Sequence, residues 1–247
     1  MSGFNYKRKL FHLLGFILPY LYFIDIFKDS FQLVNASRAI IFSILAFQVF
    51  ILVITETLRL NHPPFKEWFS KNFGMIMKEE EQDRMNATIP YLFSNAVVVL
   101  FFPAEIFFIS VGFLLIGDPV AAYFGSKYGT FRFYNGKSLV GVMAFTFASI
   151  VVGLFFMFVF MEIKETSSFA LFVSGELNFK AIIAVFLAGI LSALAEFFSG
   201  HGWKGFLDDN LTIPLAASFT LAFALVLFFG IDSKQIFFAI ETLYKTF

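Results

Sequence analysis

The chain has 247 residues, of which 59% are hydrophobic and 15% charged, with a mean hydropathy of +0.80. Soluble domains carry roughly a quarter charged residues, so this composition excludes an ordinary soluble fold. Zero net charge gives no footprint for nucleic-acid binding, and the lack of cysteine excludes disulfides, thiolate nucleophiles and zinc–thiolate sites.

Apolar runs of about 20 residues recur along the chain and predict an all-α, polytopic membrane bundle with about seven transmembrane helices. The first helix is predicted over residues 10–27, kinked at Pro19. Lys7-Arg8-Lys9 precede it as in a signal peptide, but Pro19-Tyr20 stand where a small-residue cleavage site belongs. The second is predicted over 38–58, followed by a polar helical segment over 59–87 that carries Pro63-Pro64 and the charge run 78–81. The third, over 88–102, is short and closes in a tight hairpin at Pro103. The fourth covers 104–124, the fifth 138–161, the sixth 180–198 and the seventh 211–230, with an amphipathic tail to Phe247. No domain boundary interrupts this series, and the whole chain reads as one integral membrane domain. The abundant phenylalanines read as lipid-facing bulk. Lys and Arg fall about two to one on the side holding the N-terminus, the 59–87 segment and the loops 125–137 and 199–210. The positive-inside rule assigns that side to the cytoplasm.

Four polar groups gather there. In Arg8-Lys9-Leu10-Phe11-His12, His12 lies one helical turn beyond Arg8, as an interfacial histidine in a basic anchor or as part of a site. Glu56 and Arg59 form an i,i+3 acid–base pair at the end of the second helix, a spacing common to helix-end ion pairs. In the third group, Gly117, Ala121, Gly125 and Gly129 recur every four residues as a packing ladder, with Asp118, Ala122 and Ser126 in the neighbouring row. Packing does not explain Asp118, because a carboxylate within an apolar span costs ~2.5–3.5 kcal/mol on insertion scales. Asp118-Pro119 predicts a helix break with free N–H groups, suited to phosphate and a metal ion. In the following loop, Asn135-Gly136-Lys137-Ser138 combines close backbone approach with a point charge, and Ser138 can bind phosphate or cap the fifth helix. In the fourth group, Glu196 is followed by Asp208-Asp209-Asn210, which read equally as an N-cap cluster or as Mg²⁺ ligands. Carboxylates and lysine converging on one membrane face are what phosphoryl or nucleotidyl transfer requires.

At these residues the chain resembles the CTP-dependent lipid kinases: dolichol, phytol and farnesol kinases and the fungal CTP-dependent diacylglycerol kinase. The matching pieces are R-K-x-x-H at 8–12, E-x-x-R at 56–59, G-D-x-x-A-x-x-x-G at 117–125, N-G-K-S-L-x-G at 135–141, and E-(x)n-D-D-N-x-x-I-P ending at Pro214. Val140 stands where many relatives carry glutamate. The resemblance implies a multi-pass membrane enzyme with its site facing the cytoplasm. It would use CTP as donor, Mg²⁺ as cofactor and a membrane lipid alcohol, expected here to be an isoprenoid, as acceptor. It implies a nucleotide-binding set of Lys9, Arg59, Asn135, Gly136, Lys137, Ser138 and Asn210. Asp118, Asp208 and Asp209 are the implied metal ligands, and Asp118, Lys137 and Asp209 the catalytic residues. His12, Glu56, Ser126 and Glu196 are further candidates. The related phosphatidate cytidylyltransferases share the G-D-x-x-A region and supply the alternative reaction. A transporter is the non-enzymatic alternative, but it predicts ionisable residues near both faces.

Overall fold

The computed structural model describes residues 13–73, 82–133, 135–163, 167–200 and 202–247. A 3-10 turn, Leu13–Phe16, leads into α1 (Ile17–Phe23). The long helix α2 (Ala36–Asn61) follows, and a single extended residue, His62, turns the chain into α3 (Pro63–Phe73). Helix α4 (Thr88–Phe101) is joined through Phe102-Pro103 to α5 (Ala104–Gly112), the tight connection predicted at that proline. A π-helical turn, Phe113–Gly117, links α5 to α6 (Asp118–Tyr128). Then come α7 (Leu139–Ile163), the hairpin β1 (Phe172–Val173) and β2 (Glu176–Leu177), and α8 (Phe179–Phe198). The chain closes with a short turn α9 (Gly202–Gly205), the long α10 (Asp209–Phe229) and α11 (Ser233–Ile236).

Among the described residues, five helical stretches are long and apolar enough to cross a membrane: Ala36–Asn61, Ala104–Tyr128, Leu139–Ile163, Phe179–Phe198 and Asp209–Phe229. Five of the seven predicted spans are thus present at this length among the described residues. The third is the shorter apolar helix Thr88–Phe101, and the first, predicted from residue 10, begins outside the described residues and is seen as Leu14–Phe23.

The stretch Ala104–Tyr128 is the centre of the bundle: 61% of its most apolar window is enclosed, against 22% for Ala36–Asn61. Helix α6 lies along α7, α7 along α8, and α8 along α10, while α2 packs on α4 at the periphery. The predicted helix break at Asp118 does not occur. Gly117 and Asp118 are both right-handed helical, and the backbone runs on through the π turn. Pro119 cannot donate to the Leu115 carbonyl and would crowd it in a regular α-helix. A widened turn immediately before Asp118-Pro119 accommodates that lost bond without ending the helix.

Phenylalanines are not confined to the lipid-facing surface. Phe102, Phe107, Phe113, Phe145, Phe160 and Phe169 are buried, and Phe108 packs edge-on against Phe156 with ring centroids 4.8 Å apart. On the face away from the polar groups, Ser174 and Gly175 both take positive φ, the twist that a two-residue hairpin turn requires. There the C-terminal tail crosses back over α2, with Arg38 donating to the Thr242 hydroxyl at 2.8 Å.

Candidate active site

Three stretches far apart in sequence meet at one end of the bundle. The first is the loop between α6 and α7. Small residues let these helices touch: a Cβ on Gly125 would lie 3.1 Å from Ser138 Oγ and 3.3 Å from Gly141 Cα. One on Gly129 would lie 2.4 Å from Ser138 Oγ. The glycine ladder is thus a packing surface, as its spacing predicts. Ser138 accepts from the Gly141 N–H at 3.2 Å and is 3% exposed, so its hydroxyl caps α7.

Between the helices, Arg132 donates to the carbonyls of Gly125 (2.9 Å) and Gly136 (3.0 Å), and the Phe133 N–H donates to Lys137 O at 2.8 Å. These bonds hold a tight turn in which Gly136 has φ +77. Among the described residues, no atom lies within 4 Å of where a Gly136 Cβ would be. Backbone conformation demands this glycine, and it leaves one face of the loop open to a ligand.

The second stretch is the end of α8, toward which Asn135 and Lys137 turn. Asn135 Nδ2 donates to Phe197 O, and its Oδ1 accepts from the Lys137 N–H at 3.1 Å. The Lys137 ammonium pairs with Glu196 Oε1 at 2.7 Å and donates to Ser199 Oγ at 3.0 Å and to the Glu196 carbonyl. One cation therefore ties the loop to the end of α8 while its side chain stays 24% exposed.

The third stretch begins α10. Asp208 is its N-cap: Oδ1 accepts from Leu211 N–H at 3.2 Å, and Oδ2 accepts from Asn210 Nδ2 at 2.9 Å. The same amide donates to Asp209 Oδ1 at 3.1 Å, so Asn210 holds both carboxylates. Burial pushes the Asp208 carboxyl up to about 7; the Asn210 and Leu211 donors pull the other way, and the Asp209 charge adds to the rise. Asp209 also acts electrostatically on Glu196, which links this stretch to the second. Pro214 lacks the N–H that would bond the Asn210 carbonyl, and Ser94 Oγ of α4 takes that carbonyl at 2.9 Å. The Ile213-Pro214 pair thus opens a bond through which α4 steadies the cap.

Glu56 and Arg59 form a bidentate pair at 2.6 and 2.8 Å, their side chains 5% and 1% exposed. Arg59 also donates to the carbonyls of Gln82 (2.8 Å) and Arg84 (2.5 Å), and Glu56 accepts from the Asn86 N–H at 3.0 Å. The pair pins residues 82–86, and a Cβ on Gly205 would lie 3.2 Å from Met85 O, so the pinned segment borders the 202–210 loop.

The structure brings together Asn135, Gly136, Lys137 and Glu196, and sets Asp208, Asp209 and Asn210 beside them. Asp118 is half-buried in the first turn of α6. Ser126 is exposed and donates to Tyr123 O at 2.9 Å. Lys9 and His12 lie outside the described residues. Sequence reasoning missed Arg132, Ser199 and Ser94. Ser199 sits three residues beyond Glu196, a spacing that could have flagged it; the others are legible only through their contacts.

Among the described residues, no three His, Asp or Glu side chains form a metal cage. Mg²⁺ needs only one or two carboxylates when substrate phosphates supply its other ligands. The donor set at Asp208-Asp209 fits an ion arriving on a triphosphate and does not fit one held by protein alone.

No family model and no solved structure matches the chain. Three proteins named CTP-dependent diacylglycerol kinase 1 are similar to it. The Schizosaccharomyces pombe protein is 29% identical over 165 residues, covering 66% of this chain and 71% of that protein. The Saccharomyces cerevisiae protein is 29% identical over 222 residues, 85% of this chain and 70% of that one. The Eremothecium gossypii protein is 25% identical over 176 residues, 68% and 53% of the two chains. These similarities support a relationship to the CTP-dependent lipid kinases.

Proposed function

We propose that the protein is an integral-membrane kinase that transfers the γ-phosphoryl group of CTP to the hydroxyl of a membrane lipid. The observation that carries this reading is the meeting of Lys137, Glu196 and the Asp208-Asp209-Asn210 cap at one end of the bundle. The similarity to proteins named for diacylglycerol makes that lipid the acceptor to test first. An isoprenoid alcohol, expected from the sequence, is the competing acceptor.

In this proposal the open backbone at Gly136 and the Lys137 ammonium receive the triphosphate. Lys137 exchanges part of its bond with Glu196 for phosphate oxygens, and Glu196 and Ser199 keep the ammonium aimed at the site. Such a point charge stabilises the negative charge of the transferring group. Asp208 and Asp209 would hold Mg²⁺, which supplies charge neutralisation on the phosphate oxygens. Asp209, the more open of the two, takes the proton of the lipid hydroxyl. A bond forms from that oxygen to the γ-phosphorus, the bridge to the β-phosphate breaks, and CDP leaves.

The test is a product analysis on purified protein with CTP, Mg²⁺ and a panel of diacylglycerol, farnesol, geranylgeraniol, phytol and polyprenol. CDP and a phosphorylated lipid are expected. Pyrophosphate with a CDP-lipid would overturn the kinase reading in favour of cytidylyl transfer. Turnover of an isoprenoid alcohol without turnover of diacylglycerol would overturn the acceptor.

A further inference from the structure

Helix α3 has no buried residue, although four of its eleven residues are aromatic. Phe65, Trp68, Phe69 and Phe73 fall on one stripe and pack on one another: ring centroids are 5.4 Å apart for Phe65–Trp68, 5.1 Å for Phe69–Phe73 and 5.9 Å for Trp68–Phe73. Trp68 is 53% exposed and Phe73 42%. Asn72, the one polar residue within this stripe, donates its amide to Trp68 O at 2.7 Å. Lys66 and Lys71 border the stripe on opposite sides.

The position of α3 identifies what meets this face. A single residue, His62, separates it from the end of α2, a span whose outer surface exposes Phe47, Phe50, Ile51, Ile54 and Leu58. The apolar surface of α2 therefore continues to within one turn of the end of α2 at Asn61. The corner is fixed: His62 N–H donates to Leu58 O at 2.8 Å, His62 Nδ1 accepts from Phe65 N–H at 3.3 Å, and Lys66 binds Asp83 at 2.6 Å. A helix held one residue from the end of a membrane span, with an aromatic stripe edged by lysines, matches the chemistry of the headgroup–acyl boundary.

We propose that α3 is an interfacial helix that lies in the leaflet where α2 ends, with Phe65, Trp68, Phe69 and Phe73 in lipid and Lys71 reaching the headgroups. Its occupant is the lipid surface itself, and this holds whatever reaction the protein performs.

The chain has two tryptophans, Trp68 and Trp203, so Trp203→Phe leaves Trp68 as the single reporter. The variant is placed in phosphatidylcholine vesicles whose lipids carry bromine either high on the acyl chain or near its end. The expected result is loss of most Trp68 emission with the high bromines, a smaller loss with the deep ones, and little quenching by aqueous iodide. Full quenching by iodide and none by either lipid would overturn the proposal. Protection from iodide and both lipids would also overturn it, because a second protein surface would then cover the stripe. If Trp203→Phe does not fold, Phe69→Cys carries the test. The chain has no native cysteine, and a spin label there is expected to be relaxed by oxygen more than by a water-soluble nickel chelate. The reverse order would overturn the proposal.

Discussion

Lys137 makes every contact available to one ammonium of its kind here: a carboxylate, a hydroxyl and a carbonyl, all from the end of α8. Losing it leaves Glu196 as a carboxylate without its cation and empties the site of its central positive charge. Lys137→Ala is expected to lower lipid phosphorylation about a hundredfold or more, the usual effect of removing one transition-state donor. If Glu196 acts only by aiming Lys137, the pair Lys137→Ala/Glu196→Gln should be no slower than Lys137→Ala alone, because coupled residues are not additive. An additive loss would give Glu196 a role of its own. Asp208 supplies a different test. Its carboxyl titrates near 7 in the folded protein, against ~4 for an ordinary aspartate. The folded state therefore holds a proton that the unfolded chain has released, and stability from this group is greatest below pH ~4 and falls as pH rises through 7. Asp208→Asn keeps a capping oxygen and removes the titration. Melting temperatures with chelator present should show wild type losing ground to the variant between pH 5 and 8. A gain by wild type over that range would contradict the burial argument.

At the scale of elements, Glu56 and Arg59 form a clamp on residues 82–86. Breaking a buried pair by removing one partner costs about 3–5 kcal/mol. Glu56→Ala should therefore free the segment, and limited trypsin digestion should cut after Arg84 faster than in wild type. Lys66→Ala removes only a surface pair and should leave that rate nearly unchanged. The sequence made the existence of this pair legible through its i,i+3 spacing, but its targets are carbonyls over twenty residues downstream, and spacing carries no such information. The same limit applies to Lys137 and Glu196. Each stood out as a charge beside an apolar run, whereas their partnership depends on where α8 ends relative to the loop. The Asp208-Asp209-Asn210 cluster was readable because capping is local chemistry. The π turn was misread because Asp-Pro signals equally a helix start and a proline that a continuing helix must absorb. The lipid-facing reading of phenylalanine holds for exposed rings such as Phe47, Phe147 and Phe155 but not for the buried ones, because lipid and a packed core are both apolar and composition cannot separate them.

Across the whole molecule, polar chemistry gathers at one end and the tail closes the other, so the path of α4 decides how the chain is threaded. Its fourteen residues rise about 21 Å, short of the ~30 Å of a typical hydrocarbon core. Its ends are nevertheless tied to opposite ends of α2. Asn86, just before α4, bonds Glu56, and Phe101 at its end accepts from Phe238, next to the Ala239 and Thr242 groups that Arg38 reaches. Glu56 and Arg38 are eighteen residues apart on α2, about 27 Å along the axis. A short helix crossing over that interval with the residues around it would require local thinning of the bilayer. If α4 crosses, five passages separate residue 70 from residue 245, and the two lie on opposite sides of the membrane. If it turns back, four passages do, and they share a side. With no native cysteine, Ser70→Cys and Lys245→Cys can each be labelled in sealed vesicles with a membrane-impermeant maleimide. Opposite accessibility is expected, with residue 70 on the side where CTP is consumed. Labelling of both from the same side would mean that α4 does not cross, and that its contacts with the tail form without a passage through the bilayer.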